Sequence, residues 1–419
     1  MSAKTKGKVA IVVGGGPAPG INGVISAATI EAINNGLEVV GITDGYKWLS
    51  QGDTSKAIPL TIEDVSRIHL RGGSILRTAR TNPTKSEEMM DNVIKSLDEL
   101  GVGYLVSIGG DDTCYTASQI AARAGDRLSA AHVPKTIDND LPLPGDTPTF
   151  GFQTARTVGV GIVQNLAEDA KTTGWRWYFV VAMGRTAGHL ALGIGKSAGG
   201  TVTIIPEDFE DRPVTMKEIC DILEGSIIKR LNNGRDFGVA ILAEGLATRI
   251  SEEELAQYGT VEHDDHGHIR LSEIDLGLVV KNAVRSSLAE RGIKITIVNK
   301  DLGYEVRCAD PSPFDQEYTR DLGYGAVKFM LEGGSGALIN YEGGCLKPIP
   351  FEEILDPKTK RTQVRGVDTS SESYEVARKY MIKLEAEDFD NAEQLAALAA
   401  TANMTPEAFR ERFGYLAGK

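Results

Sequence analysis

KVAIVV at 8–13, GGGPAPG at 14–20 and INGVISAATIEAIN at 21–34 decide the fold of this chain. The first run is apolar and of strand length, which reads as a buried strand. The second is a glycine–proline loop, and the third reads as a helix. The same rhythm returns downstream. Residues 37–42 read as a second strand. YLVSI at 104–108 reads as a third, closing at Gly109-Gly110-Asp111-Asp112, and 116–124 follow as a helix. Strand, loop and helix in this order predict parallel βα units with helices on both faces of the sheet. Ligands of such sheets collect beyond the C-terminal strand ends. The motifs below stand at or near such ends, except an arginine loop around 71–80.

A second series begins after the proline-rich segment 141–148. Residues 152–167 read as a helix, and 177–182 as a strand running into Met183-Gly184-Arg185. Residues 237–243 form a strand ending at Glu244-Gly245, and 293–298 another that leads to Tyr304-Glu305-Val306-Arg307. Residues 301–315 cross back to the first series, and 371–419, rich in Ala, Leu and Glu, read as helices. The fold class expected is α/β, with two Rossmann-like domains, mainly parallel sheets flanked by helices and an active site in the cleft between them. Residues 1–149 with 315–370 make the first domain, 150–314 the second, and 371–419 a helical tail.

Composition narrows the function. The 419 residues suit roughly two to three domains. Hydrophobic content of 41% and charged content of 25% are those of an ordinary globular protein. The net charge of −13 argues against nucleic acid or an anionic membrane as the main partner. There is no apolar run of membrane-spanning length, and the polar, basic start at 1–8 has no signal-peptide core behind it. Cys114, Cys220, Cys308 and Cys345 are scattered and suit free thiols in a reducing cytoplasm.

Several motifs carry chemistry. The loop Gly14-Gly15-Gly16-Pro17-Ala18-Pro19-Gly20 can cradle phosphate with its backbone amides, or can simply be a tight turn. It is not a dinucleotide fingerprint, because Pro19 stands where the last glycine is needed. A Walker loop ending Gly195-Lys196-Ser197 fails at Leu190. Asp111 and Asp112 suit a magnesium ion bridging phosphates, or the cap of the next helix. In Lys135-Thr136-Ile137-Asp138-Asn139-Asp140 one carboxylate can take a hydroxyl proton, while Lys135 offsets charge on a transferring phosphoryl group. The plainer reading is an acidic turn. Arg71, Arg77 and Arg80, and separately Arg185, can fork onto phosphate oxygens or stay solvated. His263-Asp264-Asp265-His266-Gly267-His268 reads as a surface loop rather than a metal cluster. Acidic pairs, a lysine and glycine loops together point to phosphoryl transfer.

The ordered set of these motifs, completed by Pro311-Ser312-Pro313-Phe314-Asp315, resembles the phosphofructokinases over about 9–328, and more closely their pyrophosphate-dependent branch. The resemblance implies transfer of phosphate from pyrophosphate to the C1 hydroxyl of fructose 6-phosphate, reversibly, in glycolysis and gluconeogenesis. It implies a cytoplasmic enzyme and Mg²⁺ at Asp111. Asp138 would be the base, with Lys135, Asp112 and Arg185 as its catalytic partners. Gly15, Gly16, Arg80, Asp112 and Lys135 would hold pyrophosphate in the first domain. Thr136, Ile137, Asp140, Arg176, Met183, Gly184, Glu244, Tyr304 and Arg307 would serve the sugar phosphate. Arg176 would reach a neighbouring subunit's site in a homodimer or homotetramer.

ATP-using members carry Gly at the positions of Asp112 and Lys135. An Asp there would crowd and repel a nucleotide α-phosphate, so pyrophosphate is the expected donor. Ser26 and Ile30 replace effector-binding arginines, and Gln316 replaces a sugar-phosphate arginine. The alternatives are an ATP-dependent member and a non-catalytic subunit that binds sugar phosphate. A nicotinamide oxidoreductase fails on the missing fingerprint.

Overall fold

A computed structural model describes residues 7–209, 212–258, 275–359 and 361–417. In the N-terminal part, strand β1 (Lys8–Val13) leads into helix α1 (Ile21–Asn34) and then to β2 (Val39–Ile42) and β3 (Ala57–Leu60). Helix α2 (Glu87–Glu99) precedes β4 (Val102–Gly109), α3 (Asp111–Ala124) and β5 (Ser129–Thr136). A short β6 (Phe150–Gly151) opens the long α4 (Phe152–Thr173). The second series contains β7 (Arg176–Ala182), α5 (His189–Ala198), β8 (Val202–Ile204), α6 (Met216–Asn232), β9 (Phe237–Ala243), α7 (Leu276–Glu290) and β10 (Thr296–Leu302). The chain then returns through α8 (Pro313–Leu331), β11 (Ala337–Leu338), the pair β12 (Tyr341–Glu342) and β13 (Cys345–Leu346), and β14 (Ile349–Pro350). Helices α9 (Glu372–Lys379), α10 (Ala392–Thr401) and α11 (Pro406–Phe413) close it.

The chain packs as two units. One runs through Ala155 and adds Tyr304–Arg365; the other holds Arg156–Gly303 and everything from Gly366 onward. Residues 304–314, read above with the second domain, therefore pack with the first. The tail is no separate body. Its Leu395, Leu398, Phe409 and Phe413 sit in one apolar core with Trp177, Phe179 and Leu242 of the second sheet.

The first unit's sheet runs β14-β11-β5-β4-β1-β2-β3. The central pairs β5–β4, β4–β1 and β1–β2 are parallel, and the flanking β3 and β14 are antiparallel. Separate apolar clusters cover its two faces, one built on Val9, Ile11, Ile21 and Ile25, the other on Ala10, Val12, Val93 and Leu105. This burial on both faces is why β1 reads as an unbroken apolar run. The second unit's sheet, β10-β7-β9-β8, is entirely parallel. The α/β expectation holds in both units.

Candidate active site

The chain order brings the first-domain motifs together. Between β1 and β4 the strand order reverses, which opens a crevice at the C-terminal sheet edge. Val13 pairs with Ile108, and Ile108 with Val133, so β1 and β4 end at nearly one level and β5 runs on three residues to Thr136. Gly14–Gly16, Asp111–Asp112 and Ile137–Asp140 therefore follow neighbouring strands, which lie about 4.8 Å apart, with Lys135 and Thr136 at the end of β5. Asp111 and Asp112 do not cap the helix. The cap is Gly110, and both carboxylates lie in the first turn of α3, where the helix dipole favours negative charge. That turn also places the start of α3 before residue 116, where the sequence reading began it.

Lys135 corrects a second expectation. It lies within β5, not in a loop, and is only 4% exposed. Its ammonium donates to the carbonyl of Gly16. Burial pushes its pKa down to about 8; Arg307 and Arg80 push the same way, and Asp138 and Asp111 oppose them. Arg307 is likewise lowered by burial and then by Arg80. Three cations are thus crowded against one glycine loop, an arrangement that an anion with several charges would relieve.

Backbone pairing explains how Arg80 arrives. Gly14 bridges Ala79, and the Gly15 amide donates to the Ala79 carbonyl at 3.0 Å. The arginine loop, expected away from the strand ends, is stitched to one. Arg71 and Arg77 do not join it; they pair with Asp310 and Asp44. Gly16 leaves room for the end of the Arg307 side chain. A Cβ there would stand 2.6 Å from Nη2 of Arg307. Thr113, which the sequence reading passed over, fills the space left by Gly14 and Gly109, where an added Cβ would lie 2.4 Å and 2.5 Å from its Oγ1. Beneath them, His132 holds the Gly109 carbonyl through Nε2 at 3.0 Å, and burial keeps its pKa near about 3, so it is neutral.

The segment bearing Asp138 is framed from a distance. The Asp138 amide donates to Thr136 Oγ1 at 3.0 Å, and Thr149 Oγ1 donates to the Thr136 carbonyl at 2.8 Å. Asn139 adopts φ 57°, and its Oδ1 accepts from the Thr149 amide at 3.0 Å and from Arg365 Nη2 at 2.7 Å. Arg365 also donates to the carbonyls of Asn139, Leu143, Gly145 and Thr147. Its amide donates to the Asp140 carbonyl. Asp140 and Ile137, expected at the substrate, are both buried, and the charge of Asp140 acts on Arg365.

In the second unit Met183, Gly184 and Arg185 follow β7, and Glu244 follows β9; Ala182 pairs with Ala243, so these too leave adjacent strands at one level. Glu244 Oε2 accepts from the amides of Gly184 and Arg185 at 3.3 Å and 3.4 Å, which shapes the loop around Arg185 at φ 52°. Glu207, another residue the sequence reading missed, accepts from the Gly188 amide at 2.9 Å. Arg176 is at the opposite sheet edge, first in β7. Its Nη1 donates to Asp169 Oδ2 at 3.0 Å beside the Tyr178 hydroxyl, while its Nε is buried with no partner. Tyr304 and Arg307 belong to the first unit, the guanidinium 5.2 Å over the tyrosine ring. On α1, Ser26 is buried, and the half-buried Ile30 packs against the apolar core of the first unit. The run 263–268 lies outside the described residues.

The phosphofructokinase family model matches residues 8–330. The chain belongs to the phosphofructokinase family. It is 55% identical over 411 residues to the pyrophosphate–fructose 6-phosphate 1-phosphotransferase of Thermotoga maritima, covering 97% of this chain and 98% of that protein. It is 52% identical over 415 residues to the Naegleria fowleri enzyme of the same name, covering 97% and 95%. Among solved structures, the pyrophosphate-dependent phosphofructokinase of Marinobacter aquaeolei superposes with a TM-score of 0.67 at 18% identity, covering 90% of this chain and 92% of that one. That likeness concerns the fold.

For a phosphofructokinase, the metal question turns on the donor set. Among the described residues no group of three His, Cys, Asp or Glu side chains is poised around one point. Magnesium commonly takes only one or two carboxylates and completes its shell with phosphate oxygens and water. Asp111 and Asp112, beside the cationic glycine loop, fit that mode. No described helix is long and apolar enough to cross a membrane.

Proposed function

We propose that this chain transfers a phosphoryl group from pyrophosphate to the C1 hydroxyl of fructose 6-phosphate, giving fructose 1,6-bisphosphate and phosphate. The observation that carries the reading is the buried Lys135, bonded to the Gly16 carbonyl and crowded by Arg307 and Arg80. A small, dense anion satisfies all three cations at once. The names of the near-full-length relatives support both the acceptor and the donor.

In this reading the amides of Gly15 and Gly16, Lys135 and Arg80 hold the phosphoryl oxygens and absorb charge that grows in the transition state, and Arg307, expected at the sugar phosphate, is near enough to Gly16 to serve the phosphoryl group as well. Asp138 takes the hydroxyl proton. Asp112 excludes the α-phosphate of a nucleotide. Thr136 and Tyr304, with Met183, Gly184, Arg185 and Glu244, orient the sugar phosphate. Asp111 would hold Mg²⁺, which supplies charge neutralisation on pyrophosphate when bound. Ile137 and Asp140 act by supporting the loop rather than by touching substrate. Arg176, far along β7 from Arg185, serves the site of a neighbouring copy in a homodimer or homotetramer, and its unpartnered Nε suits that task. The pyrophosphate bond is exchanged for a phosphate ester, so the reaction runs in both directions.

The test is fructose 1,6-bisphosphate formation by purified protein with Mg²⁺ and fructose 6-phosphate. Turnover with pyrophosphate and none with ATP is expected. Turnover with ATP would overturn the donor assignment, and none with either would overturn the reaction.

A further inference from the structure

The backbone carbonyls on either side of Gly110 are both held by side chains, each from a different segment of the first unit. On one side stands His132, buried in β5 opposite Ser107 of β4. Its Nε2 lies 3.0 Å from the Gly109 carbonyl, and its Nδ1 lies 3.4 Å from Ser107 Oγ. A carbonyl can only accept, so the proton of the neutral ring sits on Nε2 and Nδ1 accepts from the Ser107 hydroxyl. Ser107 accepts in turn from the buried Tyr46 hydroxyl at 3.3 Å. The donors all point one way, from Tyr46 through Ser107 and His132 to Gly109, and bonds in such a chain polarise one another. Gly109 ends β4 and stands opposite Pro134, which brings no N–H to the ladder. The imidazole supplies a donor there.

On the other side of Gly110, Thr362 Oγ1 donates to the Asp111 carbonyl at 2.9 Å. The threonine is itself tied to the helix that it holds. The buried Cys114 thiol of α3 is hydrogen-bonded to it, and Leu355 bridges it. The next amide, that of Gln363, donates to the Ile354 carbonyl at 2.8 Å, and Ile354 and Phe351 pack with Cys114 and Ala117 in one small apolar cluster. Gly110 is the cap of α3, so these two bonds bracket the point where the strand gives way to the helix. Aspartate has a short side chain, and a shift of this backbone passes almost undiminished to the carboxylates of Asp111 and Asp112. Misplacement on that scale is enough to weaken a site built on orientation.

We propose that His132 and Thr362 are positioning residues for the phosphoryl-donor site: by holding the carbonyls of Gly109 and Asp111 they set where the Asp111 and Asp112 carboxylates meet metal-bound pyrophosphate. The choice of pyrophosphate rests on the reaction proposed above; the positioning rests on the hydrogen bonds. A role in stability alone would touch both substrates alike, whereas positioning of this turn acts on the donor and spares the sugar phosphate.

Titration calorimetry on the full-length protein with magnesium imidodiphosphate, a pyrophosphate analogue that is not turned over, tests this. Thr362→Val keeps the shape of the side chain and removes the hydroxyl; it should weaken binding by about threefold to tenfold, and Thr362→Ser should restore it to within about twofold of wild type. His132→Leu should weaken binding to a similar degree, and His132→Gln, which keeps a donor of similar reach, should lose less. Fructose 6-phosphate, titrated separately, should bind within about twofold of wild type in every variant. Thermal melts confirm folding, and if His132→Leu does not fold the Thr362 pair carries the test. Unchanged imidodiphosphate binding in Thr362→Val, Thr362→Ser as weak as Thr362→Val, or equal losses for both ligands would overturn the proposal. The same titrations with adenylyl imidodiphosphate separate it from the donor assignment. A wild type that binds this nucleotide and not imidodiphosphate overturns the donor assignment, while the ratio of variant to wild type for the nucleotide still reads the positioning. A wild type that binds neither overturns both.

Discussion

Arg365 grips both ends of the Asn139 residue. Nε donates to its backbone carbonyl at 3.0 Å, and Nη2 donates to its side-chain Oδ1 at 2.7 Å. Asn139 is the neighbour of Asp138 and holds φ at 57°, a conformation that asparagine tolerates better than most residues. The guanidinium also collects carbonyls from Leu143, Gly145 and Thr147, so one side chain shapes the whole turn.

Arg365→Ala should therefore lower kcat by roughly 10²-fold through misplacement of Asp138, with a smaller effect on the KM for pyrophosphate. Arg365→Lys, which lacks the fork, should recover only part of the loss. Added guanidinium ion should restore turnover in the alanine variant. An alanine variant with wild-type kcat would show that the turn holds its shape without the clamp.

Asp138→Asn keeps the size of the side chain and removes its basicity. Its expected effect is a fall in kcat of about 10²–10⁴-fold, with sugar affinity little changed. Steady-state kinetics alongside direct fructose 6-phosphate binding separate these effects. Near-wild-type turnover would remove Asp138 from the role of base.

Asp112 occupies the first turn of α3, at the edge shared with Lys135. Asp112→Gly should make ATP measurably competitive with pyrophosphate, and should leave the fold intact because glycine is tolerated near a helix start. Competition assays with ATP check this. Undiminished exclusion would mean that another group rejects the nucleotide.

Lys135 makes the pH dependence specific. Its pKa in the folded protein is about 8, against an ordinary 10.5, chiefly because of burial. In the free enzyme the cation is lost as pH rises through about 8, so pyrophosphate affinity should fall there. Stability moves the opposite way. Between about 8 and 10.5 the unfolded chain binds the extra proton, so ΔG of unfolding rises with pH through this group. Thermal melts of the metal-free wild type and of Lys135→Met should show a difference that changes across that window. A parallel pair of curves would mean that the lysine is not depressed.

Much of the scaffold was legible along the chain. The strand at Lys8–Val13, the helix at Ile21–Asn34 and the strand at Phe237–Ala243 have the bounds read from their apolar runs and glycine stops. Other bounds moved. The last strand of the second sheet lies at Thr296–Leu302, because pairing with β7 carries it across Asn299, Lys300 and Asp301, which a hydropathy pattern ends on. Lys135 looked like part of a loop because charge inside a buried strand contradicts the usual pattern.

The sequence by itself determined the α/β class, the family and the motifs that carry the chemistry, because those depend on short runs of neighbouring residues. Only the tertiary structure decided which of those residues meet. Ala79 pairing with Gly14 delivers Arg80, Gly16 makes room for Arg307, and Arg365 reaches back over the loop of Asp138. Each of these contacts joins segments far apart in the chain. No local propensity encodes them, since they arise from strand order, from register and from the space that a missing Cβ leaves.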